Sequence, residues 1–261
     1  MKFQKKSLGQ NFLVDKNIVN KILNLTNIRN KDIIEIGPGK GALTDEILKK
    51  KPNSLLLLEK DIELAAYLTK KFSNNSNIKI INIDFLKFNL EKIKKKNLII
   101  LGNLPYNISS QILIKVLKTP KIESKYSDII FMFQKELGEK TIGKFTSKSY
   151  GRLSIITNFK LYLAKKFLVS SNCFFPKPKV TSIVLHFKTL KKASYKIKNI
   201  ANLEKITNIL FSQKRKIIKK NIKKILDNDT LKKIKGLDLN LRPEEVRPEV
   251  YYKITELYEK S

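Results

Sequence analysis

"DIIEIGPGKGALTDEILKK", residues 32–50, carries the reading of the fold. An isoleucine-rich run of strand length leads into three glycines, at 37, 39 and 41, after which apolar residues recur at three- and four-residue spacing, as in an amphipathic helix. A strand that becomes a helix through Gly37, Gly39 and Gly41 needs backbone that bends sharply and lets a ligand approach closely. That geometry belongs to a nucleotide-type cofactor site.

Outward from this unit the pattern repeats. "SLLLLE", "IKIINID", "NLIILGN" and "DIIFMFQ" read as further strands, and stretches such as "DIELAAYLTKKF" read as helices between them. From Asp32 to about residue 135 the alternation predicts an α/β fold, a parallel sheet with helices on both faces. Upstream, "DKNIVNKILNL" is a helix opened by Asp15 as N-cap. Beyond Tyr150 come "LSIITNFKLYLAKKFLV", the proline-bearing loop "CFFPKPKV", and "TSIVLHF", a final strand expected to pair onto the sheet edge. After Phe187 the composition shifts: "KTLKKASYKIKN" is a basic linker, followed by the short helices "ANLEKITNILFSQ", "RKIIKKNIKKILD", "DTLKKIKG" and "RPEVYYKITELYEK". The expected organisation is one domain over residues 1–190 and a small all-helical domain over 191–261.

The chain has 261 residues, enough for a substantial core, and a formal net charge of +31. So strong a basic balance predicts a polyanionic partner, since self-repulsion otherwise works against the compact state. Lysine dominates, with arginine only at 29, 152, 215, 242 and 247, so part of the charge reflects compositional drift. One cysteine, Cys173, excludes an intramolecular disulfide and a cysteine metal cluster. One histidine, His186, lies in an apolar strand-like run, reads as a packed residue, and cannot build a zinc or protease triad. No metal is expected. The basic N-terminus lacks a signal peptide's apolar core and no apolar run approaches ~20 residues, so a soluble, cytoplasmic chain without a membrane partner is expected.

The second strand ends at Glu59, 22 residues beyond Gly37, close to the ~20 expected of an acid that accepts from ribose hydroxyls. Gly37, Gly39 and Ala42 also satisfy the relaxed dinucleotide fingerprint, so an NAD-type site has to be weighed. Pro38 argues against it by removing an N–H from the turn that would cradle a pyrophosphate. The third strand adds a second carboxylate, Asp84, suited to an adenine amine. A cationic, adenine-bearing ligand fits better, and S-adenosylmethionine has those properties.

"LIILGNLPYN", residues 98–107, ends a buried strand on Asn103-Leu104-Pro105-Tyr106. Its place over the middle of the sheet, at the carboxyl edge, sets this tetrapeptide beside the cofactor. A nucleobase amine is a poor nucleophile because its lone pair is conjugated into the ring. The Asn103 amide oxygen and the Leu104 carbonyl can each accept one N–H of such an amine and localise that lone pair, Pro105 stiffens the turn, and Tyr106 offers a stacking face for an extruded base.

With these residues in place the chain resembles the KsgA/RsmA family of ribosomal RNA small-subunit adenine dimethyltransferases, whose superfamily includes the Erm methyltransferases and the mitochondrial transcription-factor B proteins. The resembling blocks, "LGQNFLVD", "EIGPGKGALT", "LLLLEKD", "NIDFLKF", "GNLPYNISSQIL", "FMFQKE", "YGRLS", "FFPKPKVTS" and "FSQKRKIIKKNI", run in the family's order along nearly the whole chain. The resemblance implies a Rossmann-like S-adenosylmethionine-dependent methyltransferase fold with a helical C-terminal RNA-recognition domain. It implies a cofactor site of Asn11, Leu13, Gly37, Gly39, Glu59, Asp84 and Asn103, and a second stacking ring at Phe174 opposite Tyr106. Its substrate is two adjacent adenosines near the 3′ end of 16S RNA in the small subunit, each dimethylated on N6, and it implies a monomer. Lys214, Arg215 and Lys216 open a basic helix expected to meet RNA phosphates. "FSQKRKIIKKNI" and the helical tail resemble the small-subunit enzymes more than the large-subunit Erm enzymes. A non-enzymatic nucleic-acid binder would not need the intact Asn103–Tyr106 motif, and an NAD-dependent oxidoreductase would need a hydride-handling site, of which the sequence shows no sign.

Overall fold

The computed structural model describes residues 11–191 and 195–260. Leu8, Gly9 and Gln10 of the "LGQNFLVD" block, and residues 192–194 of the expected linker, lie outside the described residues. In chain order the elements are β1 (Phe12–Leu13), α1 (Lys16–Leu23), β2 (Asp32–Ile36), α2 (Ala42–Lys49), β3 (Ser54–Glu59), α3 (Ile62–Lys71), β4 (Ile78–Asn82), β5 (Leu98–Asn103), α4 (Ser109–Leu117), α5 (Ile122–Lys125), β6 (Tyr126–Gln134), α6 (Lys135–Thr141), α7 (Arg152–Lys160), β7 (Leu161–Val169), β8 (Phe174–Phe175), β9 (Ser182–Thr189), α8 (Ile200–Phe211), α9 (Lys219–Ile222), α10 (Asn228–Lys232) and α11 (Pro248–Tyr258).

Two compact units result. One takes the chain up to Gly138 together with Tyr162–Thr189, the other Glu139–Leu161 together with the chain from Leu190 onward. The expected single span over 1–190 is therefore interrupted by residues 139–161. Their apolar side chains find a core among the C-terminal helices: Phe159 packs on Tyr252 with ring centroids 5.0 Å apart, and the Tyr252 hydroxyl donates to the Ile155 carbonyl at 2.9 Å.

The first unit is built on a seven-stranded sheet in the order β4-β3-β2-β5-β6-β9-β7. β2 pairs in parallel with both β3 and β5, and β5 pairs in parallel with β6, whereas β9 runs antiparallel to β6. The central strands are buried on both faces, which is why "LIIL" and "SLLLLE" are continuous apolar runs rather than alternating ones. Helix starts follow their caps: Asp15 accepts from the N–H groups of Asn17 and Ile18 at 2.8 and 3.1 Å, and Asp61 opens α3 in the same way.

β9 does not form the sheet edge. It lies between β6 and β7, and its six buried leading residues match that internal position. β7 is the edge strand, and exposed Lys165 and Lys166 guard it against further pairing. His186 on β9 is buried and its Nε2 lies 2.7 Å from Asp128 Oδ1 on β6, a packed, partnered histidine as its setting predicts.

In the second unit the buried tyrosines satisfy their hydroxyls on backbone carbonyls: Tyr150 donates to Val246 at 2.8 Å and Tyr251 to Pro243 at 2.6 Å. The helix expected over "RKIIKKNIKKILD" is confined to α9. Residues 212–217 form an exposed turn, because Ile218 is buried and its N–H donates to the Leu241 carbonyl at 2.9 Å rather than to a preceding helical turn.

β5 approaches β2 closely at Gly102, where a Cβ would stand 2.5 Å from the Ile36 carbonyl oxygen. Gly102→Ala is expected to force the strands apart at a cost of about 2 kcal/mol, read as a Tm lower by roughly 4–8 °C. An unchanged Tm in calorimetry would show that this close approach does not set the strand spacing.

Candidate active site

The turn after β2 is drawn tight by its own backbone: the Gly37 N–H donates to the Leu58 carbonyl at 3.0 Å, and the Gly41 N–H to the Pro38 carbonyl at 2.9 Å. Gly39 sits at φ 59°, and a Cβ there would meet the Phe12 ring at 2.9 Å. A larger residue would therefore be strained in backbone and would push Phe12 off the turn. Beside this turn, at the carboxyl ends of β2, β3 and β5, lies a cavity of about 440 Å³. It occupies the crevice where the connections from β2 and β5 leave in opposite directions, the position where open α/β sheets bind ligands.

Four acids line this cavity, Glu35, Asp45, Glu46 and Glu59, and Glu59 and Glu35 are the buried ones. Glu59, at the end of β3, accepts from the Gly39 N–H at 3.1 Å and the Asp61 N–H at 2.9 Å, so its position is fixed by the same backbone that forms the turn. Burial raises its carboxyl above the usual range, against those two hydrogen bonds. Glu35, within β2, also lines the cavity, is fully buried, and accepts from the Thr44 hydroxyl at 2.7 Å. Burial pushes its carboxyl from 4.5 to about 8, with the charges of Glu59 and Asp45 adding to the effect. Sequence reasoning missed Glu35, although a charge inside "DIIEI" was a visible signal: a parallel strand buried on both faces has no solvent for it.

At the end of β5 the Asn103 side chain donates through Nδ2 to the Asn11 carbonyl at 2.8 Å. With the nitrogen committed, Oδ1 is the acceptor the amide has to offer. Tyr106 is held at both ends, its hydroxyl 2.8 Å from Ser182 Oγ and its carbonyl accepting from the Ser109 hydroxyl at 3.2 Å. The Ile108 N–H closes the turn onto the Pro105 carbonyl at 3.2 Å. Burial raises the Tyr106 phenol above its usual range, which keeps it neutral.

Of the residues expected from sequence, Asn11, Leu13, Gly37, Gly39, Glu59, Asn103, Leu104, Pro105 and Tyr106 all line this cavity. Asp84 is not among its lining residues. It sits beyond the end of β4, in an ion pair with Lys60 at 2.8 Å, and accepts from the Leu86 N–H at 2.9 Å; Lys60 holds its carboxyl below the usual range. A ligand amine reaching Asp84 competes with that ammonium. Phe174 does not line the cavity either. In the β1–β8 ribbon it pairs with Leu13, and both rest in the core, whereas Phe175 pairs with Phe12 on the other face and is 47% exposed. Alternation along the ribbon turns Phe174 inward, so the ring open to a partner at this strand is Phe175. Lys214, Arg215 and Lys216 lie in the exposed turn after α8 rather than opening a helix.

Residues 1–260 match the family model described as "Ribosomal RNA adenine dimethylase". The chain belongs to the ribosomal RNA adenine dimethylase family. It is 46% identical over 257 residues, 98% of its length and 97% of the relative's, to a protein of Pelagibacter ubique named ribosomal RNA small subunit methyltransferase A. A protein of Mycoplasma mobile with the same name is 39% identical over 253 residues, 95% of each chain. Among solved structures, a dimethyladenosine transferase from Plasmodium falciparum superposes with a TM-score of 0.75 at 22% identity, covering 95% of this chain and 98% of that one. The 23S rRNA methyltransferase ErmE superposes with a TM-score of 0.69 at 23% identity, covering 95% and 100%. The fold is thus the Rossmann-like methyltransferase fold, and this dimethylase-family chain is a methyltransferase.

In this member of the family the buried acid gives stability a defined pH dependence. The Glu35 carboxyl is raised in the folded state relative to the unfolded one, so its contribution is fully present below about pH 4.5 and is lost as pH rises through about 8. Glu59 shifts in the same direction and adds to the trend. The ligand-free protein is expected to lose a few kcal/mol from Glu35 between pH 5 and 9, and Glu35→Gln, which can still accept from Thr44, should flatten that slope. Parallel slopes for the two proteins in urea titrations across pH would show that Glu35 is ionised throughout.

Proposed function

We propose that this chain is the small-subunit enzyme of its family: an S-adenosylmethionine-dependent methyltransferase that dimethylates N6 of two adjacent adenosines near the 3′ end of 16S RNA. The observation that carries the chemistry is the Asn103 amide, anchored through its nitrogen to the Asn11 carbonyl with its oxygen left as acceptor. Small-subunit specificity, as against an Erm-type activity, rests on the 46% identical relative and on the tail blocks, which resemble that family.

The site suits the cofactor. The cavity of about 440 Å³ is the size of a small-molecule site, its glycine turn leaves room where a Cβ would collide, and its carboxylates favour a cation. Asn11, Leu13, Gly37, Gly39, Glu59 and Asn103 would hold it, with Asp84 contributing on exchange of its Lys60 partner. When bound, S-adenosylmethionine supplies a methyl group on a cationic sulfur.

The chain's own residues then prepare the nucleophile. Asn103 Oδ1 and the Leu104 carbonyl each accept one N–H of the adenine amine, which draws the nitrogen out of conjugation and points its lone pair away from both acceptors. Because Asn103, Pro105 and Tyr106 are already fixed by backbone and side-chain hydrogen bonds, little reorganisation accompanies the reaction. Tyr106 supports the flipped base, and a β8 aromatic is its partner. Phe174 fills that role on moving out of the core, whereas Phe175 is already exposed. The amine proton is lost to solvent once the nitrogen carries the methyl, so no histidine is required. The helical unit, with Lys214, Arg215 and Lys216 exposed, serves RNA recognition, and the enzyme acts as a cytoplasmic monomer. Among the described residues no helix is long and apolar enough to cross a membrane.

The deciding experiment is methyl transfer from labelled S-adenosylmethionine to unmodified small subunits, with large-subunit RNA in competition and the modified nucleotides located by mass. Dimethyladenosine confined to the small-subunit 3′ end is expected, and label on the large-subunit RNA would make this an Erm-type enzyme. Asn103→Ala should lower turnover by roughly 10²–10³ while the protein stays folded and binds RNA, with Tm lowered only by the loss of one hydrogen bond, about 1 kcal/mol. Near-normal turnover would remove Asn103 from the chemistry.

A further inference from the structure

Four of the five connections that enter the amino ends of the parallel strands differ sharply in charge from those that leave the carboxyl ends. Segments 26–31, 49–53, 92–97 and 118–125, which lead into β2, β3, β5 and β6, hold twelve Lys or Arg and one acid, Glu123. Segments 37–41, 60–61, 83–89 and 104–108, on the active-site side, hold three lysines and two acids. A lysine-rich composition alone would spread over both edges. Here the charge is concentrated on the edge away from the cavity.

A second concavity of about 400 Å³ lies on that basic edge, lined by residues 26–29 and 49–51. Arg29, Lys49, Lys50 and Lys51 surround it, and Arg29 is one of only five arginines in the chain. The two connections are stitched together by their backbones: the Asn30 N–H donates to the Lys51 carbonyl at 3.0 Å, and the Asn53 N–H to the Lys31 carbonyl at 2.9 Å. Lys49 is neutralised by Glu46 at 2.6 Å and Lys50 is held by the Asn24 side chain at 2.9 Å, whereas the exposed Arg29 and Lys51 have no acidic partner among the described residues. None of the exposed large apolar side chains falls in the four connections, so the surface offers charge without an apolar anchor for lipid.

We propose that this amino edge, centred on Arg29 and Lys51, is a second RNA-backbone site that holds a helix of the small subunit other than the one presenting the target adenosines. The proposal rests on the small-subunit reading given above. The five residues of β2 separate the two edges by about 17 Å, and cavity and pocket lie at opposite ends of the strands, so on this proposal they meet different stretches of RNA. Arg29 supplies a planar fork for a phosphate and Lys51 a point charge beside it. The edge thus selects assembled RNA over isolated hairpins without reading any base.

The test compares wild type with Arg29→Gln/Lys51→Gln on two substrates, unmodified small subunits and a short hairpin carrying the 3′-end adenosines. A charge-matched control, Lys70→Gln/Lys79→Gln, removes two lysines elsewhere on the same unit. For subunits, the pocket variant should lower the slope of log affinity against log salt by about two and raise KM roughly tenfold. Hairpin kinetics and S-adenosylmethionine affinity should be unchanged. An unaltered subunit slope and KM would overturn the proposal, as would equal loss on the hairpin or equal loss in the control. Loss of binding to anionic phospholipid vesicles with subunit binding intact would overturn it in favour of a membrane. If wild type methylated no small subunit, the functional reading would fail, while the subunit-binding slopes would still decide the pocket.

Discussion

The parallel pairing of β2 with β3 on one side and β5 on the other is the constraint from which the site follows. Connections leaving the carboxyl ends of β2 and β5 diverge, so the sheet opens a crevice that no side chain of its own fills. Three of its groups arrive as strand ends: the glycine turn from β2, Glu59 from β3 and Asn103 from β5. Gly102 lets β5 lie close against the Ile36 carbonyl, and this close approach brings Asn103 level with the turn. The hydrogen bond from Asn103 to Asn11 then ties the segment before β1 to the end of β5, so one amide both orients the acceptor and anchors one wall of the cavity.

Electrostatics divides along the same axis. A chain of net charge +31 still places four acids at this cavity, of which Glu35 and Glu59 are buried, and burial raises their carboxyls above the usual range. On the function proposed above, three lysines share the cavity lining with these acids, and the rest of the basic surface supplies the longer-range attraction for a polyanion.

How far the sequence was legible follows from the range of each interaction. β3 and the helix starts at Asp15 and Asp61 could be read directly, because apolar runs and caps are local signals. So could the glycine turn, Glu59 and Asn103, since each is tied to the end of a recognisable strand. The insertion of β9 between β6 and β7 could not, because the order of these strands depends on pairing partners far away in the chain. Phe174 and Phe175 are adjacent and chemically alike; only the register with Leu13 and Phe12, about 160 residues earlier, turns one inward and the other out. Asp84 was placed correctly at a strand end, but its lysine partner was invisible, since in so basic a chain nearly every acid has several candidates.

On the function proposed above, the Asn103 turn and β8 have opposite tasks. The turn, held by several hydrogen bonds, presents its acceptors already in place when the amine arrives, so that little is spent on reorganisation. The stacking ring must leave room for an extruded base to enter from solvent. β8 is only two residues long and is held by β1 alone, in a two-stranded ribbon outside the seven-stranded sheet. Of its two aromatics, Phe175 is already exposed, whereas Phe174 would leave the core only at the cost of its buried area. On the proposed function, the chemistry sits on a strand end fixed by hydrogen bonds and the base enters beside a two-residue ribbon, and the Asn103 bond to Asn11, directly before β1, links the two.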